Sequence, residues 1–181
     1  MMKINSLKKL NRLLVIALIF LVVSCGVGPK SNSNSQLSGV SEKFYTSFYK
    51  EEGSTVYYIK PIDFESDKEE LIADITFMQN SNGIENVIIN FSVFTQDKIS
   101  TSEIYSLKIN ETIIEDFKIL YNEPKSSKLF EMRYSVNYPS KEFIKNYSNL
   151  NFTIATNTTT KTYLPKKKTS KILQNIGLLF N

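Results

Sequence analysis

Residues 129–138 read "LFEMRYSVNY", and this run decides the fold class. Phe130, Met132, Tyr134, Val136 and Tyr138 occupy every second position, set against Glu131, Arg133, Ser135 and Asn137. Successive side chains of an extended chain point to opposite faces, so a period of two describes a strand with one buried face. The same period recurs upstream. Leu71, Ala73, Ile75 and Phe77 alternate with Asp74 and Thr76, and Val87, Ile89, Phe91 and Val93 alternate with Asn90 and Ser92. Between them, "QNSNG" at 79–83 supplies a turn, where Asn82-Gly83 tolerates the positive φ that hairpins need.

Working outward, Val56 and Tyr58 begin a first strand that Pro61 is expected to end. Further strands are predicted over 102–109, 111–121, 128–138, 149–156 and 159–164. About eight short strands with frequent turn signals predict a mainly β domain over residues 41–181. The expected architecture is a single antiparallel β-sandwich with short flanking helices, after an N-terminal signal helix. Ser41 is placed to cap one short helix, gathering Phe44, Tyr45, Phe48 and Tyr49 on one side, packed on the domain or presented to a ligand. Pro139-Ser140 opens another through Phe143 and Ile144. Pro165 starts a C-terminal helix with Ile172, Leu173, Ile176, Leu179 and Phe180 on one face, which Gly177 weakens. No solenoid-length repeat is present.

The chain of 181 residues has room for one ordinary domain plus a targeting segment. It contains no histidine, which excludes Ser-His-Asp and Cys-His catalysis within the chain and any His-ligated metal site. A single cysteine, Cys25, excludes an internal disulfide and a multi-cysteine metal site. The net charge of +4 comes from Lys3, Lys8, Lys9 and Arg12, because residues 25–181 hold 18 basic and 18 acidic side chains. A neutral chain lacks the electrostatic footprint of nucleic-acid binding. The balance is uneven, however: residues 143–181 carry six lysines and no acid.

The N-terminus has three parts: the basic stretch to Arg12, an apolar run of 11 residues from Leu13 to Val23, and the small Ser24. That layout is a secretory signal, too short for a bilayer span. The junction Val22-Val23-Ser24-Cys25 resembles a bacterial lipobox, although Val22 and Val23 stand where leucine and then serine or alanine are commonest. The resemblance implies a signal peptide over 1–24, diacylglycerol on the Cys25 sulfur, cleavage between Ser24 and Cys25, and acylation of the new amino group. The alternative is a plain secretory signal followed by a buried or free cysteine. Residues 25–40 form the lipidated cysteine and a flexible Gly/Ser/Asn tether. Gly26 is not aspartate, so by resemblance to the enterobacterial sorting rule the outer membrane is favoured over the inner.

Other patterns carry little chemistry. Asp63, Glu65, Asp67 and Glu69 alternate as in a calcium loop, but Lys68 replaces the required glycine, and a solvated acidic face is expected instead. Ser47 and Lys50 match S-x-x-K without its supporting elements. The N-x-S/T triplets at Asn90, Asn110, Asn146, Asn151 and Asn157 follow from asparagine and threonine abundance, and ten tyrosines leave a carbohydrate platform open.

Catalytic, cofactor and metal residues are therefore expected to be none. In plan the chain resembles many small envelope lipoproteins of Gram-negative bacteria. This implies a lipid-anchored binding or structural module whose partner is an envelope protein or surface polymer. The rivals are a small carboxylate-dependent hydrolase and a carrier of an apolar ligand. For the C-terminal lysines, packing of the helix beneath them is expected over membrane contact.

Overall fold

The computed structural model describes residues 43–50, 53–67, 69–96 and 104–180. The expected signal segment, Ser24, Cys25 and the tether lie outside the described residues. In chain order the strands are β1 (Tyr45–Lys50), β2 (Ser54–Ser66), β3 (Glu69–Asn80), β4 (Gly83–Thr95), β5 (Ile104–Ile109), β6 (Thr112–Ile113), β7 (Phe117–Ser126) and β8 (Leu129–Tyr138). Helix α1 (Ser140–Asn146) follows, then β9 (Phe152–Thr156), β10 (Thr160–Pro165) and helix α2 (Lys167–Ile176).

All strand pairs are antiparallel, in the order β6-β5-β9-β10-β2-β3-β4-β8-β7, with β1 added beside the first half of β2. The mainly β antiparallel class with two short helices is thus present. The two stacked layers of a sandwich are not, because the strands form one curled sheet, a half-barrel. Leu164 and Pro165 of β10 pair with Glu65 and Phe64 of β2, carrying the hydrogen bonding from one half to the other. At the ends of the strand order, Ile114–Asp116 join β6 directly to β7, and the Tyr138 hydroxyl on β8 donates to the Ile109 carbonyl on β5 at 3.2 Å. Alternation reports which face a strand buries and is silent about its neighbours, so the sequence could not separate a curl from a sandwich.

The curl comes from irregularities in long strands. Register shifts between Ile59 and Ile62 place Pro61 inside β2 instead of at its end, and further shifts interrupt β3–β4, β5–β9 and β7–β8. A bulge bends its strand and increases the local twist. The expected strand over 111–121 divides into β6 and β7, while "QNSNG" makes the β3–β4 turn, with Gly83 at φ +114° and the Asn82 N–H on Asn80 Oδ1 at 2.8 Å.

Inside the curl, Phe64 and Phe91 flank Phe152, with ring centroids 4.9 and 5.0 Å apart, and Tyr134 stacks on Phe91 at 5.1 Å. The helices close one end. Phe77 meets Tyr57, Phe143 and Phe180, while Leu173, Ile176 and Leu179 are fully buried. The apolar face of α2 therefore packs in the core and leaves Lys167, Lys168 and Lys171 exposed. The aromatic segment after Ser41 is strand β1 and not a helix. Phe44 and Tyr45 are buried while Phe48 and Tyr49 turn outward. Pairing with six residues of β2 overrides the helical spacing.

Candidate functional site

β3 begins with Glu69 and β4 finishes with Thr95. Glu69 is in phase with Leu71, Ala73, Ile75 and Phe77, so its carboxylate enters the concave side. There Thr95 Oγ1 donates to Oε1 at 2.8 Å, Lys161 Nζ lies 2.5 Å from the same oxygen, and the Tyr163 hydroxyl donates to Oε2 at 2.7 Å. Thr95 and Tyr163 are buried, and the Lys161 side chain is 28% exposed. Burial pushes the Glu69 carboxyl up, but hydrogen bonds from Lys161, Tyr163 and Thr95 outweigh it and hold the group below its ordinary value. Burial and the Glu69 charge push the Tyr163 phenol well up.

A cavity of about 10 Å³ adjoins this cluster, lined by residues including Val93, Met132, Tyr134, Ile154, Lys161 and Tyr163. That space suits roughly one water. The Tyr134 hydroxyl, beside it, donates towards Met132 Sδ at 3.7 Å. Glu69 is thus an ionised acceptor already bound to three donors. The arrangement fixes a charge in the mouth of the barrel and leaves no carboxylic proton to donate near neutral pH.

A second polar network crosses the outer face of the sheet. Asp74 on β3 accepts from Asn90 Nδ2 at 2.9 Å and pairs with Arg133 on β8, which also donates to Ser92 Oγ at 3.1 Å. Two residues along β8, Glu131 accepts the Tyr121 hydroxyl at 2.7 Å and pairs with Lys125 at 2.6 Å. Asp74 and Glu131 are 4% and 5% exposed, so both are charges enclosed by their neighbours on an outward face. Burial raises the Glu131 carboxyl, and hydrogen bonds from Lys125, Tyr121 and Ser92 bring it below the usual range.

The positions singled out in the sequence fare differently. Asp63 and Glu65 stand on the solvated side of β2, and Asp67 occupies the β2–β3 turn with φ +49°, while Glu69 leaves that acidic row by turning inward. Its parity with Leu71 to Phe77 was the available signal. Ser47 and Lys50, three apart on strand β1, point to opposite faces and do not meet as on a helix. Ser24 and Cys25 are not among the described residues. Among the described residues, no group of three or more His, Cys, Asp or Glu could hold a metal ion, and no helix is long and apolar enough to cross a membrane.

Comparison with protein-family models, with curated proteins and with solved structures finds no match to this chain.

Proposed function

We propose that this protein is a lipid-anchored cell-envelope module that binds a partner or serves a structural role through the outer surfaces of its half-barrel. The observation that carries the anchoring is the Val22-Val23-Ser24-Cys25 junction after a basic stretch and a short apolar run. A thiol readily forms a thioether to a lipid, and several acyl chains hold a protein where one would release it. The outer membrane is the preferred location, and an envelope protein or surface polymer the preferred partner.

The packing favours an outer-surface role over the two rivals. A carrier of an apolar ligand needs an unfilled concavity, whereas Phe64, Phe91, Phe152 and Tyr134 fill this one beside a cavity of about 10 Å³. A carboxylate hydrolase needs two converging acids, whereas Glu69 faces inward and Asp74 and Glu131 outward, each closed by a cation.

Cells fed a clickable fatty acid test the anchor. The wild type takes up label and Cys25→Ala does not, and equal labelling of the two proteins would defeat the reading. Crosslinking in intact cells, followed by identification of co-purifying molecules, then finds the partner.

A further inference from the structure

The solvent side of α2 carries lysines that enter no ion pair among the described residues. At its start, Asp63, Glu65 and Glu70 of β2 and β3 approach the helix, and Lys166 answers them, with Nζ 2.7 Å from Glu70 and 4.0 Å from Glu65. The next lysines are free of that duty. Lys167 and Lys171, four residues apart, share one stripe with Gln174 and continue to Leu178, while Lys168 flanks it. All three lysines are exposed and enter no ion pair among the described residues, and Leu178 stands 43% exposed at the far end.

Beside α2, the Phe143 ring of α1 contacts Phe180 at 5.9 Å, and Tyr147 meets Phe180 at 4.9 Å. Helix α1 adds Lys141 and Lys145, also exposed and without ion pairs among the described residues, with Ile144 44% exposed between them. The one acid on either helix, Glu142, accepts from Asn146. Five lysines without ion pairs among the described residues and two protruding aliphatic side chains thus occupy one adjoining pair of helices.

We infer that this helical pair docks on an anionic phospholipid surface. Unpaired lysines are attracted to lipid phosphates, and short aliphatic side chains at the edge of a basic surface enter the headgroup layer without unfolding the helix. The buried face of α2 stays in the core, so docking uses only side chains already outside. Lysines in the first turn of a helix oppose its dipole, so Lys167 and Lys168 do not serve to stabilise α2 itself. The inference rests on the envelope reading only for bringing the domain to a membrane.

The test uses the full-length protein reconstituted in vesicles, with an environment-sensitive fluorophore on Leu178→Cys. Vesicles of phosphatidylglycerol and phosphatidylcholine should shift the emission to the blue, and phosphatidylcholine alone should not. Added salt should reverse the shift. In the triple variant Lys167→Glu, Lys168→Glu, Lys171→Glu, the anionic lipid needed for half the shift should rise at least about tenfold. A variant with the same net charge placed elsewhere, Lys50→Glu, Lys118→Glu, Lys128→Glu, should behave like the parent. Equal emission with both lipids, or equal loss in both triple variants, overturns the inference. A lysine-dependent shift with soluble polyphosphate but not with vesicles overturns it in favour of an anionic polymer. Thiol labelling of the wild type separately reports whether Cys25 is acylated, so failure of the anchor is distinguished from failure of docking.

Discussion

Thr169 and Asp63 hold each other twice across the junction of α2 and the sheet. The Thr169 hydroxyl donates to the Asp63 carbonyl at 2.7 Å and accepts the Asp63 N–H at 3.0 Å. One side chain therefore satisfies both backbone groups of a β2 residue, as a neighbouring strand would.

Thr169→Val should remove both bonds at nearly constant volume. Thr169 is 2% exposed, so water cannot readily replace it. The expected loss is about 1–3 kcal/mol in urea unfolding, with Thr169→Ser retaining most of the stability. A loss in Thr169→Ser with none in Thr169→Val would show that the methyl group and not the hydroxyl matters.

Glu69 gives the fold a defined acid sensitivity. Its carboxyl lies below its ordinary value of 4.5 in the folded chain. A group depressed on folding contributes stability above its unfolded pKa and loses it as pH falls through the folded one. Glu69→Gln should therefore be less stable than the wild type at neutral pH, and the difference should shrink as pH drops below that ordinary value. A difference unchanged from neutral to strongly acid pH would contradict this. Lys161 is part-exposed, so solvent screens its share.

Deleting residues 166–181 should lower the melting temperature by several degrees or abolish folding. Leu173, Ile176 and Leu179 are fully buried, and removing one such side chain alone costs about 2–5 kcal/mol. A deletion that melts like the parent would mean that the helix is dispensable cover.

Gly177 is required by space and not by an unusual backbone angle. A Cβ there would lie 2.1 Å from the Tyr147 hydroxyl oxygen, and Tyr147 is held against Phe180 and Phe143. Gly177→Ala should destabilise by about 1–3 kcal/mol despite alanine's better helix propensity. Combined with Tyr147→Ala, the glycine substitution should cost little, which a double-mutant cycle measures.

Much of the sheet was legible from the sequence. The alternation in 71–77, 87–93 and 130–138 identified the inward residues of β3, β4 and β8. What alternation leaves out is the partner and register of each strand. Asp74 read as the polar side of a half-buried strand, and only the cross-strand placement of Arg133 encloses it. Pro61 read as a terminator because a bulge inside β2 depends on tertiary context. The spacing of Phe44, Tyr45, Phe48 and Tyr49 suited a helix, but pairing with β2 supplies backbone partners that a short isolated helix lacks.

The pairing of Leu164 and Pro165 with Glu65 and Phe64 sets the order in which the protein can mature. These partners lie about a hundred residues apart, and such distant closure is slow because the loop entropy is lost before the contacts form. A chain emerging from its N-terminus holds the second half of β2 without its outer neighbour until β10 and α2 arrive. The concave core stays uncapped for the same interval, since Leu173, Ile176 and Leu179 come last. The sheet edge and the core are therefore completed only once the last strand and the last helix of the chain have been made.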